Sequence, residues 1–214
     1  MEILPRRLES EVIASLRSNA VTVLEGPRSV GKTVLLRHML QRGDIARMVS
    51  LTDRQQLAAA QLDTAAWLDS FPQPLAIDEA QLLPELPLAI KTRLDQNMDS
   101  DRFLLSGSAS LARQTMGGAD PLARRTHRMR LLPLTMAELH KPGTSWSLID
   151  ALFEDAPSTT TGPLHFTAAR ELHRALAFGG MPTLRLPAAP ASTSPLRRTV
   201  LPHITDAVSY THLR

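Results

Sequence analysis

Residues 26–33, Gly-Pro-Arg-Ser-Val-Gly-Lys-Thr, fit the pattern Gly-x-x-x-x-Gly-Lys-[Ser/Thr], and their setting constrains the fold more than any other stretch of the chain. Upstream, Val21-Thr22-Val23-Leu24 is a short, apolar, β-branched run; downstream of Lys32 the apolar residues Val34, Leu35, Leu36, Met39 and Leu40 recur at helical spacing. An isolated glycine turn with an exposed lysine would lack these flanks. The order strand, turn, helix is what a phosphate-binding loop requires, because polyphosphate oxygens need several converging donors and a loop wrapped around them aims its backbone N–H groups inward. Glycine lets that backbone come close and adopt angles that other residues resist. Lys32 is expected to reach the β and γ phosphates and Thr33 to place its hydroxyl on Mg²⁺, while the helix start adds the positive end of its dipole. Gly26, Pro27, Arg28, Ser29, Val30, Gly31, Lys32, Thr33 and the adjoining Val34 form the expected nucleotide-binding stretch.

Around this unit strands and helices alternate. Arg7 to Ser18 carries Leu8, Val12, Ile13 and Leu16 on one helical face. Further strands are predicted at Ala46 to Leu51, Leu75 to Ile77, Phe103 to Leu105 and, more weakly, Met129 to Leu132. Helices are predicted at Arg54 to Ala60, Thr64 to Ser70, Leu86 to Asn97 and, more loosely, Ser110 to Met116. Such alternation implies an α/β fold, a parallel sheet with helices on both faces. A core domain is expected over 1–134. A small helical extension is expected over 135–186, with helices at Thr135 to His140, Ser147 to Glu154 and Thr167 to Phe178. The Ala/Pro/Ser-rich stretch from Pro187 to Pro195 begins an expected linker over 187–205.

Two more motifs lie at strand ends. Leu75-Ala76-Ile77-Asp78-Glu79 delivers two adjacent carboxylates from an apolar strand. With the loop upstream, Asp78 is expected to hold Mg²⁺, directly or through water, and Glu79 to polarise a water for in-line attack on the γ-phosphorus, a pairing that points to hydrolysis. Arg102-Phe103-Leu104-Leu105-Ser106-Gly107-Ser108 puts small hydroxyls just past another core strand. Ser106 is expected to bridge attacking water and γ-phosphate, and Ser108 to cap the next helix; a capped turn alone is the alternative. The densest basic cluster is Arg124-Arg125-Thr126-His127-Arg128-Met129-Arg130, with Arg113 nearby. A solvated face, a phosphate contact on nucleic acid and an arginine finger reaching a neighbouring subunit all remain open for it. Arg128 and Arg130 would share one strand face.

Composition removes other classes. With 43% hydrophobic and 21% charged residues among 214, the chain is neither disordered nor membrane-like, and no apolar run approaches the roughly 20 residues that cross a bilayer. A cytoplasmic location is the expectation. The absence of cysteine excludes disulfides, thiolate metal sites and cysteine nucleophiles, and the seven histidines show no tight ligand spacing. The pI of 9.9 overstates basicity, because the net charge is only +3 and nearly all cations are arginine. With 4% aromatic residues, a base-stacking surface for single strands is not expected. Asn19 and Asn97 are the only asparagines and neither begins Asn-Lys-x-Asp, so guanine is disfavoured and ATP is the expected nucleotide.

Taken as a set, the loop at 26–33, Ile77-Asp78-Glu79-Ala80-Gln81, the stretch from Arg102 to Ala109, Leu122-Ala123-Arg124-Arg125, Leu132-Pro133-Leu134-Thr135-Met136-Ala137-Glu138 and Gly179-Gly180-Met181-Pro182 resemble the bacterial and archaeal AAA-type P-loop ATPases that carry a C-terminal domain of unknown function. The resemblance implies a P-loop NTPase fold of the AAA type, ATP and Mg²⁺ as ligands, and a catalytic set of Lys32, Glu79, Ser106 and Arg125. It places the family arginine, and a homo-oligomer contact, on Arg125. The family pattern reads Leu-Ala-Gly-Arg where this chain has Leu122-Ala123-Arg124-Arg125. It also implies a second domain beyond Gly179-Gly180-Met181-Pro182, longer than the residues that follow here, through which nucleic acid or a protein partner would be contacted. Residues 206–214 resemble translated adapter sequence and are expected to be non-native.

The chain is thus expected to be an ATP-binding, Mg²⁺-dependent, ATP-hydrolysing domain of a larger protein. The alternative from another class is a non-hydrolysing ATP switch, an interaction module coupled to its C-terminal partner domain. A small-molecule kinase would need an acceptor pocket and lid that the sequence does not locate.

Overall fold

The computed structural model describes residues 4–96, 101–108, 121–122, 125–135, 138, 180 and 182. The elements in chain order are α1 (Leu8–Ser18), β1 (Val21–Glu25), α2 (Lys32–Arg42), β2 (Arg47–Ser50), α3 (Arg54–Leu62), α4 (Thr64–Asp69), β3 (Leu75–Asp78), a 3₁₀ turn (Ala80–Leu82), α5 (Leu86–Gln96), β4 (Phe103–Gly107) and β5 (Thr126–Arg130). The strands form one parallel sheet in the order β2-β3-β4-β1-β5. The predicted helices at Ser110 to Met116, Ser147 to Glu154 and Thr167 to Phe178 lie outside the described residues, as does most of Thr135 to His140. Among the described residues no helix is long and apolar enough to cross a membrane.

The inner strands β1, β3 and β4 are mostly apolar because both faces are covered, and their side chains alternate between two cores. Val21, Val23, Leu75, Ile77, Phe103 and Leu105 face one core with Trp67 and Leu68 of α4 and Leu86, Ile90 and Leu94 of α5. Leu24, Ala76 and Leu104 face the other with Val12 and Leu16 of α1 and Leu35, Leu36 and Met39 of α2. Each buried leucine contributes about 1.5–3 kcal/mol relative to exposure. A one-residue register slip would turn both sets around, so the alternation fixes the register.

That register decides where the chemistry sits. Val23 is level with Leu105, and Leu105 with Ile77, so Glu25, Asp78 and Gly107 end together at the carboxyl rim of the sheet. In open parallel sheets this rim is where ligands bind. The last strand departs from its expected position at Met129 to Leu132 and occupies Thr126–Arg130 instead. Met129 is its one buried residue, and the apolar run that marks it in the sequence continues past its end, where Leu131 is buried and Leu132 exposed.

The chain divides into two units, residues 1–3 with 8–132, and residues 4–7 with 133–214. In the second, Thr135 and Glu138 form a reciprocal helix cap: Glu138 N donates to Thr135 Oγ1 at 3.2 Å and Thr135 N to Glu138 Oε2 at 2.8 Å. Glu138 is buried and also accepts from Arg7 N at 2.9 Å and Arg6 Nε at 3.2 Å. Burial raises its pKa, but the Thr135 and Arg7 amides and the Arg6 guanidinium more than offset this and hold it below the ordinary value. Leu134 N donates to Gly180 O at 2.7 Å, and a Cβ on Gly180 would lie 2.1 Å from Leu134 O. Two of the sequence motifs, Leu132 to Glu138 and Gly179 to Pro182, therefore touch through backbone.

Candidate nucleotide site

The loop between β1 and α2 is curled by two left-handed residues, Ser29 at φ 61° and Gly31 at φ 105°. Val30 between them is fully buried and anchors the loop, while Pro27, Arg28 and Ser29 are exposed. Gly26 passes so close to the chain leaving β5 that a Cβ would lie 2.5 Å from Leu131 O, which explains the first glycine of the motif sterically. Gly31 is the N-cap of α2 and offers no side-chain acceptor, and the first turn carries no acidic residue. The first amides of a helix have no intrahelical acceptor, so those of α2, at the positive end of the dipole, suit an external anion. Val34 is on the exposed side of α2.

Lys32 is buried, and its Nζ donates back to Gly26 O at 2.8 Å and Pro27 O at 3.0 Å. Its pKa is lowered. Desolvation is the main cause; Glu79 and, more weakly, Asp78 act in the opposite direction, and Arg28 adds to the lowering. An ammonium held inside a glycine loop at a desolvation cost is the arrangement expected of a group that meets phosphate oxygens there.

Asp78, at the end of β3, is 2% exposed. Its Oδ2 accepts from Thr33 Oγ1 at 2.7 Å and its Oδ1 from Ser106 Oγ on β4. Thr33, Asp78 and Ser106, spread over more than seventy residues of sequence, are joined by hydrogen bonds at one point of the rim. A hydroxyl beside a carboxylate is a hard oxygen set that suits Mg²⁺ sharing its shell with phosphate and water. Among the described residues no cluster of three or more His, Asp or Glu could hold a metal ion by itself, and at this point Thr33 and Asp78 supply one hydroxyl and one carboxylate.

Glu79 follows in the left-handed region at φ 56°, ψ 42°, an uncommon conformation for a non-glycine residue. It opens the 3₁₀ turn, and its Oε2 accepts from Gln81 Nε2. Gln81 is a contact that residue-type reasoning missed, because it exists only through that turn.

Arg125 is not brought to this rim. Its carbonyl accepts from Val21 N at 3.3 Å, just before β5 and at the opposite end of β1 from the loop. Five residues of strand separate the two ends by about 17 Å. Its guanidinium pairs with Asp95 Oδ1 of α5 at 2.5 Å. Arg128 pairs with Glu25 at 3.2 Å, and Arg128 and Arg130 are both exposed on either side of buried Met129. Ser108 lies in a bend after β4, and Arg113 and Arg124 lie outside the described residues.

The model of a known protein family, described as AAA domain, matches residues 18–140. The chain belongs to the AAA domain family. Its α/β P-loop fold is that of the family, and the matched residues include all five strands and every rim residue named above. Among solved structures, this AAA domain is similar to the Walker-type ATPase PABY2304 of Pyrococcus abyssi, at 18% identity over 64% of this chain and 55% of that one, with a TM-score of 0.45. It is similar to the Hsp104–ADP complex of S. cerevisiae, at 16% identity over 64% of this chain and 23% of that one, TM-score 0.48. It is similar also to the RuvB Holliday junction branch migration motor of Thermotoga maritima, at 22% identity over 64% and 48%, TM-score 0.42. The AAA domain chain spans less than two thirds of the length of each of these three proteins. Among curated proteins, none matches it.

Proposed function

We propose that this AAA domain binds ATP with Mg²⁺ and hydrolyses it, as one part of a larger protein. The observation that carries the reading is the hydrogen-bonded junction of Thr33, Asp78 and Ser106 beside buried Lys32. The backbone N–H groups of residues 26–34, Pro27 having none, hold the phosphates, and Lys32 exchanges its two loop carbonyls for β and γ oxygens. Thr33 and Asp78 hold Mg²⁺, which supplies charge neutralisation on the β and γ oxygens when bound. Glu79 accepts a proton from water as its oxygen attacks the γ-phosphorus; the bond to the bridging oxygen breaks and ADP leaves with the electron pair. Ser106, held on Asp78, orients that water against the γ-phosphate.

Arg125 lies too far from its own loop to act there, so any transition-state role is in a neighbouring copy, in a homo-oligomer whose nucleotide sites are completed across the interface. Work on nucleic acid or on a protein partner would then be done through parts of the larger protein that the nucleotide state moves.

The test is phosphate release over many turnovers by Glu79→Gln. Loss of an effective general base lowers turnover by about 10²–10⁴-fold while ATP still binds. Turnover at the wild-type rate in that variant would remove Glu79 as the base, and wild-type phosphate release no faster than the uncatalysed background would overturn hydrolysis and leave a nucleotide switch.

A further inference from the structure

We infer that Gln81 is a positioning residue that sets the carboxylate of Glu79; the inference rests on the hydrolytic reading above. Two residues that are i and i+2 do not face each other in a helix, and in a strand they share a face without meeting side by side. Here they meet because Glu79 takes a left-handed conformation and the chain turns at once into the 3₁₀ segment, with Leu82 N on Glu79 O at 3.0 Å. The turn brings Gln81 Nε2 onto Glu79 Oε2. An ionised carboxylate only accepts, so the amide must present its NH₂ to Glu79. At the other end of that amide, Gln81 Oε1 is buried and no donor among the described residues reaches it. The side chain keeps this pose with an acceptor unpaired, and what the pose secures is Glu79.

The consequence is that the carboxylate that takes the proton from water is tethered through Oε2, which accepts from Gln81. Fixing one oxygen of a base in this way reduces the arrangements it must leave before proton transfer, and loss of such alignment is read in kcat and not in ground-state binding.

The experiment compares Gln81→Ala and Gln81→Glu with wild type, using the full chain, ATP and Mg²⁺. Gln81→Glu keeps the side-chain size and replaces the donor by a second carboxylate, so it covers the case in which the alanine variant does not fold. Both are expected to lower kcat about tenfold or more with the Kd for ATP changed less than about twofold. In a Glu79→Gln background, where little base remains to be positioned, Gln81→Ala is expected to leave the residual single-turnover rate unchanged. A parallel loss of affinity and rate, or the same fold-loss in both backgrounds, would show a structural role and overturn the inference. Wild-type kcat in both Gln81 variants, with Glu79→Gln inactive, overturns the inference alone. Wild-type kcat in Glu79→Gln overturns it together with the role of Glu79 as base, and no turnover above background in the wild type overturns it together with the hydrolytic reading.

Discussion

The two ends of the central sheet hold their charges in opposite ways. At the carboxyl rim Lys32, Asp78 and Ser106 are all buried, and each is tied to backbone or side-chain partners. At the amino end Arg125 and Asp95 form an ion pair whose side chains are 36% and 46% exposed. Burying a charge is expensive unless neighbours compensate it, whereas an exposed pair contributes about 0–1 kcal/mol. The rim therefore keeps its polar groups at a cost that packing alone would not select, while the other end holds its arginine loosely enough to exchange partners. The first is a buried polar cluster with fixed partners, and the second is an exposed surface ion pair.

The largest effect that can break this contrast is on Arg125. If it completes a neighbour's site, Arg125→Ala lowers turnover by about 10³-fold or more. Mixing it with Glu79→Gln subunits restores activity, because some interfaces then pair an intact Glu79 with an intact Arg125. A mixed assembly that stays inactive in phosphate release contradicts a role for Arg125 in a neighbour's site.

A smaller effect belongs to Glu138, a buried carboxylate outside the rim. Its folded pKa is lowered, so its contribution to stability is present at neutral pH and fades as pH falls through that depressed value. Glu138→Gln should be less stable at pH 7 by about 1–3 kcal/mol. In thermal melts the gap should narrow below the ordinary carboxylate value of 4.5. A gap that stays constant into acid would show that the ionised form is not what the Arg7 and Thr135 amides hold.

The smallest effect is at Asp95. Asp95→Asn should change stability by less than about 1 kcal/mol in denaturant titration. Turnover should not fall, since Arg125 loses only a surface partner. A large loss of stability would mean that the amino end is as tightly built as the rim.

The parts of this arrangement that were legible in the sequence are those written locally. The loop at 26–33 announces itself by its glycines and its flanks, and β1, β3 and β4 by short apolar runs that end at turn residues. The strand at Thr126–Arg130 was displaced in the reading because four of its five residues are polar and one, Met129, faces the core. The Ser106–Asp78 contact depends on the register between β3 and β4, which no local pattern records. The pairing of Arg125 with Asp95 joins residues thirty positions apart and follows from tertiary placement. Gln81 depends on a left-handed glutamate, a conformation that a non-glycine residue does not advertise.

The most direct measurement is the calorimetric affinity for ATP with Mg²⁺ of the wild type beside Lys32→Ala. Loss of a charge-assisted contact to phosphate is expected to weaken binding by about tenfold to a hundredfold, or abolish it. Equal affinity in the two proteins would contradict the claim that the buried ammonium of this loop exists to grip a triphosphate.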